Sequence, residues 1–155
     1  MLVKWLHVAA ASIWLGGLVF TVIMNRTLRA LLAPQQAAQV TSYVGRRMQR
    51  PLRYSLYVAV LAGLGNVLLR FNGLSPLLAL SFYSTPFGQL FLLKLLVTLA
   101  LLAVVEYHSR AARRLAWPPN GPVPPSYRRR LIAAGWAALL LTLLLALLGS
   151  LLRFS

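Results

Sequence analysis

Apolar residues occur along the chain in four long runs, separated by basic or turn-forming segments. Each run contains the roughly 20 residues that a helix needs to cross the hydrocarbon core of a bilayer. The runs cover residues 2–24, 52–71, 86–107 and 131–152. This pattern predicts an all-α integral membrane four-helix bundle, with a single domain over residues 1–155.

The segments between the runs have patterns of their own. Residues 34–49 begin with a proline and repeat apolar residues on one face, which predicts an amphipathic inner helix between the first and second spans. This helix either lies in the inner interface or extends the second span inward. Residues 72–86 are rich in Leu and aromatics, so we expect them to pack as an outer cap. Residues 117–126 include five prolines and predict an extended inner linker.

The charge of the chain is strongly basic, with sixteen Lys and Arg against one acidic residue, and 59% of the residues are hydrophobic. The charges lie between apolar runs rather than along a soluble face, so the bilayer is the expected partner and nucleic acid is not. Twelve arginines lie in the first and third connections or immediately beside them. Only three basic residues flank the other ends of the spans. By the positive-inside rule, we expect a multi-pass protein of a bacterial-type plasma membrane with both termini on the outer side.

Lys94 is the most informative single residue, because it lies inside the third apolar run. An ammonium at the centre of a bilayer costs about 2.5–3.5 kcal/mol on insertion scales. Lys94 therefore either extends to the membrane surface or has a functional role. With both termini outside, His7, Asn66 and Ser150 also fall in the outer half of the membrane. One polar group per helix at one depth is typical of a site in a bundle core.

The same helical faces carry the other candidate residues. Helical spacing places Trp14 on the face of His7, among Ala and Gly, and places Asn66 and Arg70 on one face of the second span. Those small residues favour close helix packing or leave room for a flat ligand. His108 shares a face with Lys94 but lies about 21 Å along the helix axis, so the two cannot bind one metal ion.

Three stretches of sequence resemble the CopD (copper-resistance D) type membrane domain. They are KWLHVAAASIWLGGLVF, RPLRYSLYVAVLAGLGNVLLRF and TPFGQLFLLKLLVTLALLAV, and the resemblance covers most of residues 2–115. The chain is also similar to the HemJ-type protoporphyrinogen oxidase family. In that family, a histidine early in the first helix and a lysine in the third helix are associated with haem b. The resemblance implies such roles for His7 and Lys94.

Three functions remain open at this point. The first is binding of haem b, with His7 and Lys94 as metal ligands or with Lys94 on a propionate, and with Trp14, Asn66 and Arg70 around the cofactor. If such a protein is an enzyme, the resemblance implies a haem-dependent oxidoreductase of protoporphyrinogen-oxidase type. The second is copper uptake or handling, for which His7 offers few companions because the chain has no Cys. The third is an accessory subunit of a larger membrane complex, in which Lys94 pairs with a carboxylate on a partner helix. The Leu-rich faces of the fourth span suit a homodimer or lipid equally.

Overall fold

The computed structural model describes residues 1–114 and 125–154, and these residues form helices joined by short turns. The elements are α1 (Leu2–Leu31), α2 (Pro34–Phe71), the short α3 (Ser75–Leu78), a 3₁₀ turn (Leu80–Ser84), α4 (Pro86–Arg114) and α5 (Pro125–Phe154). Four of these helices are long and apolar enough to cross a membrane. The predicted all-α fold with four membrane-length helices is therefore confirmed.

The long helices extend beyond the predicted spans on their basic sides. α1 continues seven residues past residue 24, and α4 continues seven past residue 107. The predicted boundaries were too short because hydropathy marks where the apolar residues stop, whereas Arg, Gln and Ala continue a helix readily. The segment predicted as an amphipathic inner helix is continuous with the second span, and α2 passes through Pro51 without ending. Of the two predicted alternatives, the structure has the one in which this segment extends the second span.

The contacts divide the chain into two compact units, residues 1–73 and 74–155. In the first unit, α1 and α2 form an antiparallel hairpin whose register is visible at two places. Near its open end, Gly65 lies against Val3, and further along, Gly17 lies against Leu52. The buried stripe of α1 consists of Ala10, Trp14 and Gly17, which is the face that helical spacing predicts.

The second unit is a hairpin of α4 and α5. Val97, Leu101 and Val105 of α4 are buried at four-residue intervals, and Ala134, Ala138 and Thr142 of α5 are buried in the same way. At the closed end, the Tyr127 hydroxyl donates a hydrogen bond of 2.8 Å to the Ala111 carbonyl. The predicted inner linker lies, except for its last two residues, outside the described part of the chain. The single domain over residues 1–155 stays a prediction.

The segment before α4 is folded, as its apolar composition predicts. Phe82 of the 3₁₀ turn makes edge-to-face contacts with Phe87 and Phe91 of α4, with ring centroids 6.0 Å apart in each pair. The Gly88 amide donates a hydrogen bond of 3.0 Å to the Thr85 hydroxyl, which caps the first turn of α4. These contacts fix the turn to the start of the helix that carries Lys94.

Candidate functional site

The ring of His7 has a defined partner on another helix. Its Nδ1 lies 2.6 Å from the backbone carbonyl oxygen of Ala59 on α2. A carbonyl oxygen can only accept, so Nδ1 carries the proton and donates. In the neutral imidazole the lone pair is then on Nε2. The hydrogen bond thus fixes both the orientation of the ring and the nitrogen that is available to a ligand.

Gly63 makes this orientation possible. A Cβ at position 63 would lie 3.1 Å from Cε1 and 3.2 Å from Nδ1 of His7, closer than ordinary van der Waals contact. The imidazole therefore lies in the space that the missing side chain leaves on α2. Ala59 and Ala62, which are both buried, complete this small-residue face. The sequence left close helix packing and room for a flat ligand open for this face, and in the structure it receives the histidine of α1.

The other predicted residues of the first unit lie on the expected faces but have different surroundings. Trp14 is only 6% exposed and is part of the buried stripe of α1, so its first role is packing in the hairpin. Asn66 lies three residues beyond Gly63 and is half-buried, and its side chain forms no hydrogen bond within the described part of the chain. Arg70 lies one turn further on and is exposed. Cofactor contacts for these three residues stay predictions.

Lys94 belongs to the second unit, so its predicted pairing with His7 stays a prediction. Its half-buried side chain reaches α5, where Nζ lies 3.3 Å from the position that a Cβ on Gly149 would occupy. Among the described residues, no carboxylate or other partner bonds to this Nζ. Ser150, the polar residue predicted on the fourth span, donates instead to the Leu147 carbonyl of its own helix.

The remaining charged and imidazole groups of α4 lie towards its other end. Glu106 forms an ion pair of 3.9 Å with Arg110, which lies one helical turn further along α4. His108 lies between these two residues in the sequence and is half-buried. Within residues 1–114 and 125–154, no three His, Cys, Asp or Glu side chains are grouped as a metal site would require. Among the described residues, His7 therefore has no two further side chains of these types beside it that would complete a copper site.

Comparison with known proteins gives no relative. No family model, curated protein or solved structure matches the chain. The similarity to the CopD and HemJ families therefore stays a resemblance of short motifs, and the geometry of the side chains is the stronger evidence about function.

Sequence reasoning identified His7 and Lys94 but missed the groups that hold them. It did not single out the Ala59 carbonyl as a partner of His7, because any backbone carbonyl of α2 is an equally good acceptor until the helix register is known. It also missed Gly149 opposite Lys94. The available signal was a glycine inside an apolar helix at the matching depth, since glycine in a helix interior is unfavourable without a packing reason.

Proposed function

We propose that this protein binds haem b in the membrane, with Nε2 of His7 as an axial ligand of the iron. One observation carries the proposal: Nδ1 of His7 donates to the Ala59 carbonyl, which leaves the lone pair of the ring on Nε2. Histidines that bind metal almost always donate their other ring N–H to a carbonyl, carboxylate or water, and this hydrogen bond raises the basicity of the ligating nitrogen. His7 has that arrangement before any cofactor is considered.

The surroundings of His7 are apolar. Ala59 and Ala62 are buried beside the imidazole, and Gly63 leaves the space that the ring occupies, so these small residues hold the ring in place. The motif around His7 resembles that of two families whose expected ligands are haem and copper. When bound, haem iron supplies one-electron redox chemistry, while the protein sets its potential through the axial ligand and the polarity around it.

The test is the optical spectrum of protein that is expressed with ample haem and purified in detergent. We expect a Soret band and about one haem per chain for the wild type. His7→Ala should lose the band, whereas His108→Ala is the matched control because it removes the only other histidine of the sequence. Added imidazole should restore the band in His7→Ala if the lost group is an axial ligand. Stoichiometric haem in His7→Ala without imidazole would refute the assignment.

A second candidate function is membership of a larger membrane complex, and Lys94 favours it. Its ammonium has no carboxylate partner among the described residues, and Glu106 is already paired with Arg110. A charged group within an apolar span is costly unless it is paired, so an Asp or Glu on a partner helix is an attractive counter-ion. We expect Lys94→Met to lower the native mass of the complex extracted in mild detergent, with Lys4→Met as the control. Equal masses for the wild type and both variants would exclude this role.

A further inference from the structure

The second unit has a surface groove between α4 and α5, at the end of the hairpin away from Lys94. The groove has a volume of about 490 Å³, and its lining includes Ala103 and Tyr107 of α4 and Arg130, Ala133 and Ala137 of α5. Alanines line most of its length, so the two helices leave a trench between their larger side chains. From Arg130 to Ala137 the trench runs about 10 Å along α5.

The two ends of this groove differ in chemistry. The end at Ala103 and Ala137 lies deep within the apolar spans. Arg130, at the other end, is the second residue of the span Arg129–Leu152. The guanidinium of Arg130 and the hydroxyl of Tyr107 have no hydrogen-bond or ion-pair partner in the described part of the chain. Glu106, the only side-chain carboxylate in the sequence, is paired with Arg110. The groove thus combines an apolar floor with unneutralised donors at the membrane boundary.

We propose that this groove binds one anionic phospholipid, with the phosphate on Arg130 and Tyr107 and an acyl chain along the alanines. Arg binds phosphate through two parallel charge-assisted hydrogen bonds, and a phenol hydroxyl supplies a third donor. The lipid acyl chain fits a floor that has no polar side chain beyond its rim. This charge complementarity selects an anionic phospholipid over a partner helix, which would need its own carboxylate at the level of Arg130. The proposal is independent of haem binding by His7.

The chain offers matched controls for each half of the site. Arg129→Gln removes the same charge one residue away, on a side chain that is exposed but does not line the groove. Ala146→Leu adds the same bulk as Ala133→Leu at another exposed position of α5. The comparison of Arg130→Gln with Arg129→Gln therefore tests the phosphate contact. The comparison of Ala133→Leu with Ala146→Leu tests the acyl-chain trench.

The experiment is native mass spectrometry of delipidated protein mixed with equimolar palmitoyl-oleoyl phosphatidylglycerol and phosphatidylcholine. We expect one tightly retained phosphatidylglycerol per chain. Arg130→Gln should lower its retention about fivefold, from roughly 1 kcal/mol per arginine near an anionic lipid, and Ala133→Leu should lower it with every charge intact. Inorganic phosphate should not compete, because it lacks the acyl chain.

Three outcomes would overturn the proposal. Equal losses in Arg129→Gln and Arg130→Gln would show only general attraction of anionic lipid to a basic surface. Unchanged retention in Ala133→Leu would show that the trench holds no chain. A delipidated dimer that Ala133→Leu converts to a monomer, while Ala146→Leu does not, would assign the groove to a second copy of the protein.

Discussion

Substitution of Gly63 by alanine tests the link between the packing of His7 and its chemistry. The added Cβ would lie 3.1–3.2 Å from the imidazole, while the optimal separation of such atoms is about 3.5–4.0 Å. The ring must therefore move away from α2 by a few tenths of an ångström. The Nδ1 to Ala59 oxygen distance is 2.6 Å, so this shift lengthens and weakens the hydrogen bond but keeps it within its normal range of about 2.7–3.2 Å.

The free energy of unfolding should change little in Gly63→Ala. The weakened hydrogen bond costs about 0.5–1.5 kcal/mol, and alanine in a helix interior gains about 0.5–1 kcal/mol over glycine. These two effects nearly cancel. Gly45→Ala is the control, because it lies on the same helix and its added Cβ would meet nothing within 4 Å. The control should therefore show the gain without the loss.

Haem binding should respond much more strongly than stability. Loss of an outer hydrogen bond to a ligating histidine typically lowers metal affinity about 10–100-fold. The bond is weakened rather than lost in Gly63→Ala, so we expect haem affinity to fall by up to about tenfold in this variant and not to fall in Gly45→Ala. Haem titration by Soret absorbance measures the affinity. ¹⁵N spectra of the imidazole report which nitrogen carries the proton. Haem affinity equal to that of Gly45→Ala, or a proton found on Nε2 in the wild type, would refute the reasoning.

Two further glycines predict effects on stability, measured by thermal unfolding in detergent with circular dichroism. Gly17→Ala places a methyl group onto a methyl of Leu52 and should lower the free energy of unfolding by about 1–3 kcal/mol, whereas a Cβ in the control Gly16→Ala meets nothing within 4 Å. Adding Leu52→Ala to Gly17→Ala should recover much of the lost stability. An unchanged melting temperature in Gly17→Ala would contradict the packing. The Cβ of Gly88→Ala would overlap the backbone carbonyl of Phe82, which cannot rotate away, so this variant should be less stable than Gly17→Ala. A smaller loss of stability than in Gly17→Ala would show that the 3₁₀ turn moves at little cost in free energy.

The sequence could predict the helices and much of their buried faces because both depend on local periodicity. Ala10, Trp14 and Gly17 are buried as their 3–4 spacing predicts. The Glu106–Arg110 pair follows in the same way from i, i+4 spacing within one helix. The basic ends of the helices could not be predicted from hydropathy, since an exposed arginine is compatible with a helix outside the hydrocarbon core.

The partners of the candidate residues depend on register, which periodicity does not contain. Sliding α1 by one turn along α2 keeps the small residues in contact but presents a different carbonyl to His7. Side-chain volume at single positions fixes the register instead. Gly17 accommodates Leu52, and Gly65 lies against Val3, so His7 arrives at Ala59 and Gly63. Those contacts become visible only when both helices are placed.

Both candidate residues share one arrangement, which suggests how to find such sites from sequence. His7 lies over Gly63 of α2, and Lys94 lies over Gly149 of α5. Each polar side chain thus lies closer to the position of the missing Cβ than ordinary van der Waals contact. Glycine alone is not the signal, because Gly45 and Gly135 also lie in helix interiors and face nothing within 4 Å. The informative pattern is a helix-interior glycine at the same membrane depth as a polar residue on the adjacent antiparallel span. The glycine costs helix stability, and at Gly63 and Gly149 it leaves room for a polar side chain.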